Sequence, residues 1–285
     1  MASPRTSALN PLTQFLSAIR AWFGAFGYMR RQGLSTYHLA GPAAITAISL
    51  AGVGLTGKLS EQIRRGLLVG LDAIGLNPDD LGTSPDAWWT DAYLWGASQL
   101  DWMLEWGVAL LVLWLKVKLT KYLLLTLMAP IMSALAGAVR KREVGSAPPF
   151  NAGQLLRDLL RGVRTSSVLL LAELGLSFAL ALSGLLLTVF AAPLAILLSP
   201  ALLAGSWMVG AYFYGAAVFD AVYEQDGLDW RTSIRRGWSD RARLLGIGAV
   251  FSALLAVPFI GVFLAAFLGP MPCTTAAARL THSAS

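Results

Sequence analysis

The chain has 285 residues, of which 56% are apolar and only 13% charged, and its mean hydropathy is +0.61. A soluble domain carries about 25% charged residues, so a water-facing globule is excluded and a lipid environment is implied. The net charge of +6 does not point to nucleic acid, because the cations border apolar runs instead of clustering with aromatics on a polar domain. The single cysteine, Cys273, rules out an intrachain disulfide, and the two histidines, His38 and His282, leave no zinc constellation. No metal or cofactor is expected. Nor is a cleavable signal peptide, since the apolar residues of the first thirty positions are periodic rather than contiguous.

Asn10-Pro11 is an N-cap followed by a first helical position. Leu12, Phe15, Leu16, Ile19, Trp22, Phe23 and Phe26 then recur at helical spacing. The pattern predicts an amphipathic helix over 10–32 that lies in the membrane interface. Gly33 ends it, and Leu39–Leu55 is an apolar run at the lower limit for a span. Gly52 to Leu59 has the glycine and lysine spacing of a phosphate-binding loop. That motif needs Ser or Thr where Leu59 stands and a strand where this chain has an apolar helix, so nucleotide binding is not expected.

Residues 58–101 turn polar and acidic, with Lys58, Arg64 and Arg65 against Glu61, Asp72, Asp79, Asp80, Asp86, Asp91 and Asp101. They read as an extracytoplasmic loop, and Trp88, Trp89, Tyr93, Trp95 and Trp102 form an aromatic belt where it meets lipid. Trp102–Val139 predicts one long helix that crosses the bilayer and continues past it, with Lys116, Lys118 and Lys121 mid-way and a break or kink at Pro130. Arg140, Lys141 and Arg142 close it. Asn151 opens a second amphipathic segment, with Leu155, Leu156, Leu159, Leu160 and Val163 opposite Arg157, Arg161 and Arg164.

Ser167–Phe219 carries one formal charge, Glu173. Pro193 and Pro200 split it into the arms Val168–Phe190 and Ala201–Phe219 of an apolar hairpin, with a broad turn from Ala191 to Pro200. Asp229–Arg243 is again basic and amphipathic, with Trp230, Ile234 and Trp238 spaced by four. Leu244–Leu268 contains Pro258; Gly269-Pro270-Met271-Pro272 then turns the chain, and a short apolar return reaches Leu280. Most of the 22 Lys and Arg lie in 1–33, 140–166, 220–243 and the tail. By the positive-inside rule both termini and the basic segments are cytoplasmic and the acidic loop is outside.

This order of elements resembles the CysZ-type sulfate permeases of the etoposide-induced-protein 2.4 membrane family. The local matches are Gly33-Leu34 after the first helix and Ala129-Pro130-Ile131 before a cationic segment. Further on come Ser206-Trp207-Met208 leading to Phe219-Asp220, Gly246-Ile247-Gly248, and Val257-Pro258-Phe259-Ile260 ahead of Ala276-Ala277. The resemblance spans roughly residues 15–281. It implies a single all-α integral membrane domain over 1–285. That domain has an amphipathic N-terminal helix, two long transmembrane helices and two C-terminal helical hairpins that can stop part-way through the bilayer. It also implies a multi-pass protein of the bacterial inner membrane, association with further copies of the chain, and sulfate uptake for sulfur assimilation.

In those permeases the amides of a Gly-Leu step and the arginines after it bind sulfate, and both donor types suit tetrahedral oxyanions. Here Ser35 and Thr36 occupy the arginine positions, and Arg30 and Arg31 just before the step are the candidates to substitute. The anion-binding set implied by the resemblance is therefore Gly33, Leu34, Arg30 and Arg31. A glutamate that the family places beside the cations of 151–166 is missing.

Lys116, Lys118 and Lys121 are the most unusual charges, because ionisable side chains at membrane depth are costly and functional by default. They form a candidate anion path, against the alternative that the span is shifted and the ammonium groups snorkel to the headgroups. Glu173 calls for a snorkelling route or an interhelical partner. Arg157, Arg161, Arg164, Arg231, Arg235 and Arg236 read as headgroup and topology residues. No nucleophile sits in a catalytic setting, so an enzyme is not expected. The expectation is a transporter or channel for a small inorganic anion, sulfate foremost. The alternative is a non-transporting membrane scaffold of the same fold that binds lipids or partner proteins.

Overall fold

The computed structural model describes residues 10–52, 62, 65, 66, 69, 90–146, 152–258 and 260–282. The phosphate-loop look-alike at 53–59, most of the acidic loop, Asn151 and the side chains of the aromatic belt lie outside the described residues. Among the described residues the secondary structure is helical throughout. The chain divides into two compact units, 47–121 and the remainder (1–46 with 122–285).

Helix α1, Pro11–Arg31, starts as the sequence predicts: Asn10 accepts from the Leu12 amide at 3.1 Å and proline takes the first position. Its packing face differs from the expected stripe. Ala18, Trp22, Ala25, Tyr28 and Met29 are buried, while Leu12, Leu16 and Phe23 stay exposed. Small residues decide which face packs. A Cβ on Gly246 would stand 2.6 Å from the Phe15 carbonyl oxygen and 2.7 Å from Ala18, so backbone meets backbone along this seam. A 3-10 turn, Ser35–Leu39, leads into α2, Ala40–Gly52, whose thirteen described residues rise about 20 Å.

Helix α3 runs over Thr90–Val144 with Pro130 inside it. The expected loop thus gives way to helix at Thr90: residues 90–101 contain no proline and hold good helix formers such as Ala, Leu and Gln. Helix α4, Ala152–Phe190, is continuous, so the amphipathic Arg-bearing segment and the first apolar arm are one rod. Helix α5, Ala192–Gln225, follows after a single non-helical residue, Ala191. The broad turn expected from Ala191 to Pro200 is absent. Pro193 falls in the first turn of α5, where its missing N–H has no intrahelical acceptor to lose, and Pro200 is accommodated inside the helix. Arg161 meets Asp220 at 3.0 Å, and the space beside Gly184 is filled by Leu202, so the two helices run antiparallel about Ala191.

The far ends of this hairpin are bare: Phe178, Leu182, Leu185, Phe190, Ile196, Leu197 and Leu203 are all exposed. Apolar surface on that scale belongs in lipid or against another apolar surface. Among the described residues three helical stretches, Leu113–Val144, Leu156–Thr188 and Ala192–Gln225, are long and apolar enough to cross a membrane.

Helix α6, Trp230–Ser239, is the short basic amphipath, capped by the Asp229 carboxylate. Helix α7, Arg241–Leu255, then packs on α5 so closely that a Cβ on Gly248 would overlap the Ala211 carbonyl and one on Gly215 the Leu244 carbonyl. The stacked rings of Tyr214 and Phe251, 3.5 Å apart, fill the space beside this crossing. The chain does not turn back at Gly269-Pro270 as expected, and α7 already ends at Leu255, ahead of Pro258. A proline three residues past the end of α7 cannot continue that helix. Gly269 instead marks a 42° bend between α8, Gly261–Leu268, and α9, Pro270–His282. The expected short apolar return is a core helix: Pro270 to Ala278 are all buried, packed against α1 and α5.

Candidate functional site

Along α4 a row of polar side chains is buried in an otherwise apolar rod: Asp158, Thr165, Ser166, Glu173 and Ser177, with Arg161 mostly covered. From Asp158 to Ser177 the row rises about 29 Å, close to the roughly 30 Å thickness of a bilayer's hydrocarbon core. Successive members are three, four, one, seven and four positions apart, so they share about half of the helix circumference, the half turned towards α3 and α5.

At the basic end of the row Arg161 is held by Asp220, with Nη2 at 3.0 Å and Nε at 3.5 Å from its two oxygens. Glu224 lies 3.5 Å from the same Nε, and Nη1 donates to the Leu228 carbonyl at 2.8 Å. Asp158 and Glu224 also face the Ser133 hydroxyl of α3, which accepts from the Gln225 amide at 2.6 Å. One guanidinium thus holds two carboxylates, with Asp158 one turn away on its own helix. Asp158, Ser166, Asp220 and Glu224 line a cavity of about 20 Å3, room for a single water. Three turns further along α4, Glu173 is fully buried and accepts from the Tyr122 hydroxyl at 2.5 Å. Its expected interhelical partner is thereby identified.

A second cluster gathers where α5 ends. Asp226 accepts from or pairs with His282 at 3.1 Å, Arg140 at 3.8 Å and Arg236 at 3.8 Å, which ties α9, α3 and α6 to one carboxylate. Arg140 also donates to the Gln225 carbonyl. Burial pushes the Asp226 carboxyl up, but the His282 hydrogen bond and the surrounding cations outweigh it and hold the group below the ordinary carboxylate range. Tyr28, covered by the chain and facing Glu143, has its hydroxyl pushed up to about 12, first by burial.

The residues singled out from the sequence fall elsewhere. Gly33 adopts φ 67°, and the helix closes with its amide donating to the Arg30 carbonyl at 3.4 Å and the Leu34 amide donating to Met29 at 2.8 Å. Both step amides are therefore engaged in capping α1, and Leu34 is buried. Arg30 and Arg31 are exposed on the last turn. Arg142 joins them by donating to the Gln32 carbonyl at 2.9 Å, a neighbour the sequence did not suggest. Lys118 sits 5.5 Å from the centre of the Trp114 ring and Lys121 is buried, both in the 47–121 unit. The side chain of Lys116 lies outside the described residues.

In the sequence Arg161 and Arg236 read as headgroup residues, and the acids that hold them are not apparent. A signal was present: Asp220 and Glu224 are spaced by four, and Arg161 and Asp220 are nearly equidistant from Ala191. A hairpin pivoting at that residue, and not across a broad turn, puts them side by side. Among the described residues no group of His, Cys, Asp and Glu is arranged to hold a metal.

Residues 21–265 match the family described as Sulfate transporter CysZ/Etoposide-induced protein 2.4. The chain belongs to this family. Neither the curated proteins nor the solved structures searched gave a match. As a CysZ/etoposide-induced-protein 2.4 member the chain is a membrane protein, in keeping with the three long apolar helices among its described residues. The polar row on α4 lies within the matched stretch, as does the Gly33-Leu34 step.

Proposed function

We propose that this protein is a transporter or channel for a small inorganic anion, with sulfate the foremost candidate, in the inner membrane of a bacterium. Membership of a family whose description includes a sulfate transporter supports the substrate class. The observation that carries the reading is the buried polar row of α4, with a guanidinium at one end and a length near that of the hydrocarbon core. Polar groups are retained inside membrane helices where a solute or proton must pass. A tetrahedral oxyanion arriving at Arg161 would compete with Asp220 and Glu224 for the same forked donors.

In this reading Arg30 and Arg31, beside the Gly33-Leu34 step and Arg142, collect the anion at the cytoplasmic surface. Because the step amides are spent on α1, the guanidinium groups make the contact. Lys116, Lys118 and Lys121 line a path within their own unit. Both termini are cytoplasmic, and the bare hairpin ends supply apolar surface for association with further copies. A non-transporting scaffold is favoured by one observation, that Arg161 is already saturated by protein acceptors. Radiolabelled sulfate uptake into proteoliposomes separates the two. Uptake above protein-free vesicles, competed by unlabelled sulfate, is expected; its absence would leave the scaffold.

A further inference from the structure

Between α4, α5 and α6 lies a cavity of about 230 Å3, walled mainly by apolar groups such as Val168, Leu169 and Ala172 of α4, Ala216 of α5 and Ile234 of α6, with Tyr223 and Asp220, the latter held by Arg161, also on its lining. It exceeds the engineered cavity of about 150 Å3 that stays dry and accepts benzene. Two hydroxyls on its lining, Thr165 and Ser233, are buried and have no hydrogen-bond partner. Buried hydroxyls are normally satisfied, so an unpaired pair on one cavity wants explaining.

Close in the chain to the lining residues Thr165 and Ser233, Arg164 and Arg231 both lie over Trp230, at 4.4 and 5.3 Å from its ring. Among the described residues neither has a carboxylate partner, whereas Arg161 and Arg236 are each held by two acids. The exposed Ile234 and Trp238 continue the apolar face of α6 outward, as in a helix that lies at a lipid boundary.

We propose that this cavity and the Arg164–Arg231 pair form a binding site for one anionic phospholipid. An acyl chain fills the apolar cavity, Thr165 and Ser233 donate to the ester and glycerol oxygens, and the phosphate lies on the two guanidinium groups. The three chemistries follow one another along α4 and α6, in the order they take in a phospholipid: apolar walls, orphan donors, then positive charge without a carboxylate partner. Water could satisfy the two hydroxyls but gains nothing from the apolar walls, and a free oxyanion would leave the cavity empty. The assignment does not depend on whether the protein transports sulfate.

The test uses the full chain in bilayers containing phosphatidylglycerol with a photoreactive acyl chain, and in parallel the phosphatidylcholine analogue. Adducts are mapped by peptide mass spectrometry. With phosphatidylglycerol they should concentrate on 165–172 and 233–237, several-fold above those with phosphatidylcholine. Replacing both arginines (Arg164→Gln with Arg231→Gln) should lower the phosphatidylglycerol adducts there roughly tenfold. Ala216→Phe, which fills the cavity, should remove them while labelling of the exposed arm around Leu182 and Leu185 persists as the control for folding. Equal labelling by the two lipids, or adducts spread evenly over the arms, would overturn the site. So would inorganic phosphate abolishing the headgroup preference while chain adducts persist, which would assign the arginines to a soluble oxyanion.

Discussion

Asp226 shows how much of this fold hangs on single side chains. Its carboxylate faces His282, Arg140 and Arg236 from three helices, and their attraction holds it below the ordinary range despite burial. A carboxyl lowered on folding contributes stability at pH values above its unfolded value, about 3.9. That contribution is lost as the pH falls through the folded value. The melting temperature in detergent should therefore drop steeply below about pH 4. Asp226→Asn should cost about 1–2 kcal/mol at neutral pH and make the acid limb shallower. An unchanged acid limb in the variant would show that the cluster does not act through Asp226.

The same scale explains what the sequence left hidden. Each basic residue beside an apolar run looks alike in one dimension, yet Arg161 and Arg236 are ion-paired while Arg164 and Arg231 lie on an indole. The acids that hold Arg161 lie dozens of residues away and only the register of the hairpin brings them to it, whereas Arg236 pairs with the nearby Asp226 and Asp240. The Gly33-Leu34 step was legible as a helix end. That its amides would be spent on α1 follows from the left-handed conformation at Gly33, which composition does not reveal.

Among the elements, amphipathic α1 and α6, the long α3 and the hairpin arms could all be read from hydrophobic periodicity and run length. Turns were harder. Pro193 and Pro200 suggested a broad turn, but a proline in the first turn of a helix costs nothing there, and Ala191 alone reverses the chain. Packing faces were hardest, because α1, α5 and α7 associate through small residues that carry little hydrophobic signal. Glycines test this directly. Gly248→Ala drives a methyl into the Ala211 carbonyl and should cost about 1–3 kcal/mol. Gly175→Ala on α4 meets open space and should be neutral or stabilise by up to about 1 kcal/mol. Equal melting temperatures for the two variants would contradict the α5–α7 contact.

For the whole molecule, the hairpin's reach is a matter of length. From Arg161 to Ala191 the unbroken α4 rises about 45 Å, against about 30 Å of hydrocarbon. With Arg161 at the inner surface the tip passes through, unless the helix tilts by more than about 45°, beyond the range usual for such spans. Cys273 is buried, so a cysteine introduced by Ala191→Cys can be read by itself. A membrane-impermeant maleimide should label it from outside in oriented cells. Labelling only after permeabilisation would make the hairpin a wedge inserted from the cytoplasm.

The central claim is that an anion crosses along the row on α4, with Arg161 as its cation. Arg161→Lys preserves the charge but not the fork that holds two carboxylates or one oxyanion. Sulfate uptake into proteoliposomes should be clear for the wild type and fall at least tenfold for Arg161→Lys reconstituted in equal, folded amount. Wild-type vesicles no more permeable than protein-free ones, or an Arg161→Lys rate equal to wild type, would contradict it.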